Sequence, residues 1–284
     1  MPNDFNTPVI NEFRANNGQL SGWFAGARLL LLTTTGARSG QPHTVPVGYL
    51  PDGGDRILII ASAAGAPRNP HWYDNLVANP IATVEDGIFT YEAKATILTG
   101  AERDHVFARA VEADPGWAQY QAKTTRVLPI VALAAILGPP RTKATSMGAA
   151  LRLIHDAFRR ELGLIRDEVA KSGPTLGAQL RVNCLTLCAG LHGHHGKEDE
   201  AMFPGVGRQR PDLAPALERL RAEHEAIAAL LADLRRVLDD PGLDQPTLRA
   251  GVDRLTMELE RHLDYEEEQL IPVLDAAAPE RGQS

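Results

Sequence analysis

This chain of 284 residues is poor in cysteine and has no long apolar segment. Its two cysteines, Cys184 and Cys188, are one helical turn apart, where a disulfide would distort a helix. We therefore expect buried thiols rather than a redox pair, and a reducing, cytoplasmic compartment. The longest apolar run, residues 128–137, is too short to span a bilayer, and the start of the chain lacks the pattern of a secretory signal, so no membrane segment is expected.

The chain also lacks an excess of basic residues and the common nucleotide-binding motifs. Its net charge is −7, and because the first 147 residues are balanced, the acidic excess lies in residues 148–284. A nucleic-acid partner requires a basic face, so none is expected. Neither G-x-G-x-x-G nor a Walker A sequence occurs anywhere.

The length is about twice that of a typical domain, which predicts two domains. Between two differently patterned halves lies GPPRTKATSMG (138–148), whose prolines and small polar residues are typical of a linker. We predict a first domain over residues 1–138, a linker over 139–148 and a second domain over 149–278.

The second half contains a repeat that indicates a metal site. HHGKEDEAMFP (194–204) returns as HLDYEEEQLIP (262–272), and both copies read His-x-x-x-Glu, so each places an imidazole and a carboxylate on one helix face. Two further histidines stand alone on apolar segments with helical periodicity. A four-helix bundle would bring six candidate ligands into its core: His155, His194, Glu198, His224, His262 and Glu266. Imidazole with carboxylate suits iron, zinc or manganese.

A single histidine on an apolar helix face is usually a core or surface residue, but four at matching positions of a repeat favour metal binding. His195 and Asp199 form a competing pair one residue out of register. Only His194 with Glu198 reproduces the distance to proline seen in the second copy. We therefore expect His192 and His195 to lie beside the ligands or on the surface.

Residues from about 149 to 277 resemble a haemerythrin-like (HHE cation-binding) domain. The resemblance implies an all-α up-and-down four-helix bundle in which the same six residues hold two iron ions, with a position open to dioxygen, peroxide or nitric oxide. Oxygen-carrying haemerythrins have a further histidine one turn after the third-helix histidine, and here that position is Ala228. The resemblance therefore favours a reactive or sensing site over reversible oxygen carriage.

The first half changes to the pattern of an antiparallel sheet or barrel with a few helices. Turn signals at 52–54 and 86–87 separate segments that are short and apolar or alternating: 27–33, 45–50, 56–61 and 89–98. Asn69-Pro70 predicts the start of a helix that runs to about residue 78. Thr99 and Glu102 fit a capping box for a helix to about residue 113.

Two polar clusters carry the candidate chemistry of this half. TTTGARSGQPHTVPV (33–47) combines glycines with Arg38 and hydroxyls that can donate to phosphate, although alone it could be an ordinary turn. SAAGAPRNPHWYDNL (62–76) adds Arg68, Asn69 and Trp72, and by itself a tryptophan is more often a core anchor than a cofactor contact.

In their order and in the identity of their residues, the two clusters resemble the deazaflavin-dependent nitroreductase family. The resemblance covers about residues 11–133 and includes the late sequence Leu-Pro-Ile-Val at 128–131. The resemblance implies a split β-barrel (α+β) that binds coenzyme F420. It assigns the cofactor's phosphate to Arg38, Ser39, Gly40 and Gln41. It places the deazaflavin ring against Ser62, Ala63, Arg68, Asn69 and Trp72. It puts Trp117 and Tyr120 in the substrate pocket. Hydride transfer also requires a proton, for which the candidate donors are Tyr120, which we favour, a hydroxyl such as that of Ser62, and solvent.

Two departures from this family bear on the site. Ala37 stands where members commonly carry a second cation, and Trp117 stands where tyrosine is usual. The leading hypothesis is an oxidoreductase that passes hydride from reduced F420 to a quinone, nitroaromatic or similar small conjugated acceptor. The alternatives are a di-iron oxygen or redox sensor, and an iron- or oxygen-binding protein with a non-catalytic barrel. Split barrels of this kind often dimerise, so a homodimer is allowed, although no interface can be identified in the sequence.

Overall fold

The computed structural model describes residues 5–54, 56–136, 140–172, 176–240 and 245–276. The chain divides into two compact units, one of Met1–Thr142 with Gly177–Asn183 and the other of Lys143–Leu176 with Cys184–Ser284. The predicted linker includes residue 139, which lies outside the described residues, as do residues 277–278 at the end of the second predicted domain. The predicted domain boundaries therefore stay predictions.

The first unit is built on seven antiparallel strands. They are β1 (Leu29–Thr35), β2 (Pro42–Pro51), β3 (Arg56–Ile60), β4 (Ile81–Glu85), β5 (Phe89–Leu98), β6 (Ile130–Ala135) and β7 (Arg141–Thr142). The order is β4-β1-β2-β3-β6-β5-β7, and β4 also pairs with β5. That last pairing closes six strands into a barrel, with the short β7 added at the start of β5. The split-barrel fold class is confirmed.

The strands that alternate in sequence bury one face, as predicted. In β5, Ala93 and Ala95 are buried while Glu92, Lys94 and Thr96 are exposed. The structure adds three strands that the pattern did not predict: β4, β6 and the short β7, which lies within the predicted linker. β6 is apolar at every position because its residues 131 and 133 face one core and residues 130 and 132 face another, so no alternation is visible.

Helices flank the barrel strands: α1 (Asn6–Ala15), α2 (His71–Ala78), α3 (Gly100–Ala113) and α4 (Gly116–Ala122). The predicted capping interactions are wrong in detail, since no side-chain cap forms at either α2 or α3. Glu102 pairs with Arg56 instead of closing a capping box. Asn69 accepts a hydrogen bond from Arg126, which is a tertiary contact that local sequence does not indicate.

The second unit is helical. It contains α5 (Met147–Lys171), α6 (Ala178–Lys197) from residue 184 onward, α7 (Phe203–Gln209), α8 (Ala214–Asp239) and α9 (Gln245–Ala276). Ser146 caps α5 by accepting a hydrogen bond from the backbone N–H of Ala149. Both cysteines are buried thiols in α6, as expected. Across the described ranges, every helix is too short or too polar to cross a membrane.

Candidate metal centre and cofactor site

The long helices bring seven potential metal ligands together in the second unit. They form two groups, within each of which the ligand atoms lie within 4.8 Å of one another: His155, His194, Glu198 and Glu266 in the first, and His195, His224 and His262 in the second. All six residues predicted from the repeat are present. We call this set the seven-donor cluster.

His195 is the seventh potential donor, and of the two positions expected for it, beside the ligands or on the surface, the surface position is wrong. Its side chain is buried, and its ring stacks on that of His224 with centroids 4.1 Å apart. Neighbouring helix residues differ by about 100° in direction, so a core as wide as this one receives both His194 and His195. The helix then continues as a π-helix over Glu198–Met202, a feature often found at functional sites. His192, in contrast, is exposed as expected.

Each of the two glutamates lies near one histidine from each of the two groups. Glu198 Oε1 lies 3.0 Å from His194 Nε2, and its Oε2 lies 3.6 Å from His224 Nε2. Glu266 Oε2 lies 3.4 Å from His155 Nε2 and 3.7 Å from His262 Nε2. Each carboxylate therefore lies within 4 Å of a histidine of both groups.

Three further carboxylates orient the histidines from outside the cluster. Each accepts a hydrogen bond of 3.0 Å from an Nδ1 atom: Glu267 from His155, Asp199 from His224, and Glu223 from His262. An ionised carboxylate only accepts, so each Nδ1 carries a proton, and the neutral form of each ring presents the lone pair of its Nε2 to the interior. Sequence reasoning did not assign these acids, although each one is adjacent in sequence to a predicted ligand.

The arrangement of lone pairs fits bound cations. The Nε2 atoms of His224 and His262 are 3.1 Å apart, although both Nδ1 atoms already donate to acids. Two lone pairs at that distance repel unless a cation lies between them, and nitrogens about 2.1 Å from one ion lie roughly 3 Å apart when adjacent around it. Buried atoms without a hydrogen-bond partner include Nε2 of His155, His194 and His195, and all four carboxylate oxygens of Glu198 and Glu266.

The protonation states agree with a site that exchanges protons for metal. Burial and the nearby Glu266 raise the pKa of Glu198 to about 8, whereas contact with His155 outweighs burial and holds the pKa of Glu266 below its usual value. Burial, with His155 nearby, lowers the pKa of His194 to about 4, and burial also lowers the pKa of His195. Both imidazoles are therefore neutral at pH 7, the state in which histidine binds metal.

In the first unit, the loop from β1 to β2 presents its polar side chains to solvent. The N–H of Gly36 donates to the carbonyl of Gln41, and Gly40 adopts φ +66°, which favours glycine. A Cβ on Gly36 would lie 2.4 Å from Ser39 Oγ. The turn thus requires its glycines and leaves Arg38, Ser39 and Gln41 exposed. We call residues 36–41 the glycine loop.

Asn75 fixes the glycine loop to α2. Its side-chain oxygen accepts from the backbone N–H of Ala37 at 2.9 Å, and its Nδ2 donates to Thr34 Oγ1 at 2.9 Å. The residue is buried, so both polar ends of its side chain are satisfied inside the protein. This anchor connects the two sequence clusters, because Asn75 itself belongs to the second one.

The first part of the second cluster lies in a loop, residues 61–69, between β3 and α2. Ser62 and Ala63 begin it, Arg68 is exposed near its end, and Asn69 closes it. Trp72, which the resemblance places against the ring, is only 9 % exposed and packs in the barrel core.

The remaining predicted pocket residues lie on α4. Trp117 and Tyr120 pack edge to face at 6.0 Å and border the core formed with α3. The backbone of Tyr120 approaches Gly65 so closely that a Cβ there would lie 2.7 Å from the Tyr120 carbonyl oxygen. The structure therefore brings α4 against the 61–69 loop.

The barrel and its two loops define a split-barrel oxidoreductase of the deazaflavin class, joined to a helical metal-binding unit. The chain belongs to the F420H(2)-dependent quinone reductase family, which it matches over residues 8–135. Residues 147–274 match the hemerythrin HHE cation binding domain.

Individual relatives match the first unit. The F420H(2)-dependent quinone reductase Rv1261c of Mycobacterium tuberculosis (strain H37Rv) is 35 % identical over 125 residues, which are 43 % of this chain and 83 % of that protein. A solved F420-H2 dependent reductase (FDR-A) is 40 % identical, with 37 % of this chain and 93 % of that chain covered and a TM-score of 0.34. A second solved chain, described as a domain-swapped dimer, is 36 % identical, with 45 % and 92 % covered and a TM-score of 0.36.

Proposed function

We propose that the barrel binds reduced coenzyme F420 and reduces a quinone, a nitroaromatic or a similar flat conjugated acceptor. The observation that carries this proposal is the glycine loop, which presents Arg38 to solvent while Asn75 holds its backbone. An exposed guanidinium without an acid partner is suited to a phosphate, since charge-assisted hydrogen bonds to phosphate are strong and can be bidentate. Within the described residues, no ion pair of Arg38 occurs.

The chain's own residues have two tasks at this site. Arg38, Ser39, Gly40 and Gln41 bind the phosphate end. Ser62, Ala63, Arg68 and Asn69 frame the ring, and Trp72 packs in the barrel core. When bound, the reduced deazaflavin supplies a hydride, and the protein contributes orientation and a proton source. Tyr120 or the Ser62 hydroxyl provides that proton, and Trp117 borders the acceptor.

For the second unit we propose two iron ions, which the two donor groups would hold, with Glu198 and Glu266 as the carboxylate donors. Five imidazoles and two carboxylates suit iron, zinc or manganese better than calcium or magnesium. The donors divide unequally, since one group offers three histidines and the other two. The ion with fewer histidines has more room for an exogenous ligand such as dioxygen, peroxide or nitric oxide. Ala228 cannot supply the extra ligand of the oxygen carriers.

A second candidate function keeps the metal centre but not the reductase. Ala37 leaves the glycine loop with one cation where family members commonly carry two, which weakens the case for tight phosphate binding. The protein would then act as an oxygen or redox sensor, or bind iron and oxygen beside a non-catalytic barrel.

Cofactor titration and turnover distinguish the two candidates. F420 fluorescence is titrated with the purified, metal-loaded protein, and oxidation of reduced F420 by menadione is followed under anaerobic conditions. The reductase proposal expects saturable binding at micromolar cofactor and steady turnover. No binding at tens of micromolar, or binding without turnover by any quinone or nitroaromatic, would favour the sensor or storage function.

A further inference from the structure

Arg126, in the segment between α4 and β6, directs its guanidinium at a single loop. Its Nε donates to the carbonyl of Ala66 at 2.9 Å, and its Nη2 donates to the carbonyl of Ser62 at 2.6 Å. Its Nη1 donates both to the carbonyl of Ala61 at 3.0 Å and to Asn69 Oδ1 at 2.8 Å. One planar guanidinium therefore donates hydrogen bonds to four acceptors spread over residues 61–69.

The loop that Arg126 holds has a backbone that needs support. Ala63 and Ala64 have φ values of 45° and 54°, and Gly65 follows at 82°. A non-glycine residue in this left-handed region is strained and persists only where its surroundings impose it. Replacing Gly65 is also blocked by the nearby backbone of Tyr120.

Arg126 differs from the arginines that stabilise the rest of the barrel. Arg109 is paired with Asp52, and Arg56 is paired with Asp52 and Glu102. In the part of the chain that the structure describes, the hydrogen-bond partners of Arg126 are all neutral oxygens. Partial burial lowers its pKa from the ordinary value of an arginine, in the absence of a carboxylate to oppose it. Since no acid competes for its donors, the whole guanidinium is available to the loop.

We propose that Arg126 is a positioning residue of the reductase site, which fixes the 61–69 loop in the one conformation that frames the deazaflavin ring. This inference rests on the proposed function of the barrel. Arg126 acts through Ser62 and Asn69, which are themselves assigned to the ring, and leaves the phosphate end to the glycine loop. Its loss should therefore affect the placement of the ring more than the affinity for the whole cofactor.

Replacing Arg126 by lysine separates the effect of the guanidinium's several donors from the effect of its positive charge. Arg126→Lys keeps a cation, but a single ammonium cannot reach acceptors spread over residues 61–69. We expect amide hydrogen exchange in residues 62–69 to accelerate at least tenfold while the strands stay protected. In menadione reduction, kcat should fall by about tenfold or more, and the Kd of F420 should change by less than about threefold. Arg126→Gln should behave like Arg126→Lys, because both variants lack the guanidinium group.

Arg109→Lys is the control, because it weakens a barrel ion pair remote from the loop. We expect it to lower Tm without changing exchange in residues 62–69 or kcat per folded molecule. The proposal is overturned if Arg126→Lys retains wild-type loop protection and kcat, or if Arg109→Lys reduces kcat equally. Failure of the proposed function appears differently, as a wild-type protein that does not bind or oxidise reduced F420. The hydrogen-exchange comparison then still tests whether Arg126 holds the loop.

Discussion

Replacing His195 by alanine distinguishes a metal centre of seven donors from the six-residue set that the repeat predicts. His195 lies in the group with three histidines, where its ring stacks on His224 at 4.1 Å. His192 is three residues away on the same helix but exposed. His192→Ala therefore removes an imidazole of the same helix without touching the cluster.

The expected magnitude follows from the position of His195 in the cluster. Loss even of a hydrogen-bond partner behind a ligand typically weakens metal binding by 10–100-fold, so loss of the ligand itself should cost one ion about 100-fold or more. That factor corresponds to about 2.7 kcal/mol. The other ion keeps His155 and His194 and should be affected less. The apo protein should change little, because lost packing against His224 and removal of an unpaired buried nitrogen have opposite effects.

The assay is anaerobic titration of chelator-treated protein with ferrous ion, followed by desalting, elemental analysis and a measurement of Tm. Wild type and His192→Ala should retain close to two irons per chain. His195→Ala should retain close to one and lose part of the metal-induced rise in Tm, since the rise depends on the ratio of free metal to Kd. Two tightly held irons in His195→Ala, or equal loss in His192→Ala, would refute the seven-donor assignment.

Three further predictions concern the same two sites. Glu267→Gln should weaken metal binding by about 10–100-fold, because it removes the carboxylate behind His155, whereas the exposed Glu268→Gln should bind as wild type in the same titration. Metal loading should release about one proton at pH 7, because Glu198 must lose its proton before it binds metal. For the same reason the apparent affinity for metal should rise with pH until about pH 8. Calorimetry in buffers of different ionisation enthalpy measures both the proton release and the affinity. Arg38→Ala should weaken F420 binding by roughly ten- to a hundredfold with little change in kcat, as read by fluorescence titration and menadione reduction.

Features that depend on local periodicity could be predicted from the sequence. The alternation in β5 and the turn signals at 52–54 and 86–87 identified barrel strands, because one buried face repeats every second residue. The His-x-x-x-Glu spacing identified four of the six predicted ligands for the same kind of reason, since residues four apart share a helix face, and helical periodicity identified His155 and His224. The closing strand pair β4 and β5 could not be derived this way, because pairing is a tertiary property.

The register argument at the metal motif failed for a specific physical reason. It assumed that only one of the pairs His194 with Glu198 and His195 with Asp199 could face the core. In the structure both pairs contribute, since His195 enters the cluster and Asp199 accepts from His224. In a wide polar core, side chains from more than one face of a helix can point inward. Assuming that only one face does so underestimates the number of polar side chains in the core. The acids that follow the motif glutamates were visible in the repeat, but their partners are on other helices.

The least predictable parts of the cofactor site are the residues that hold it together. Asn75 and Arg126 bind backbone groups that are distant in sequence, and neither belongs to a pattern with a helix or strand period. Yet the loops they hold carry left-handed residues and exposed polar side chains, which do not keep one conformation by themselves. At both candidate sites, the groups expected to touch ligand follow recognisable local motifs, whereas the groups that orient them come from elsewhere in the chain. Substitutions at the orienting residues therefore test the two site assignments without removing a group that is expected to contact the cofactor or the metal.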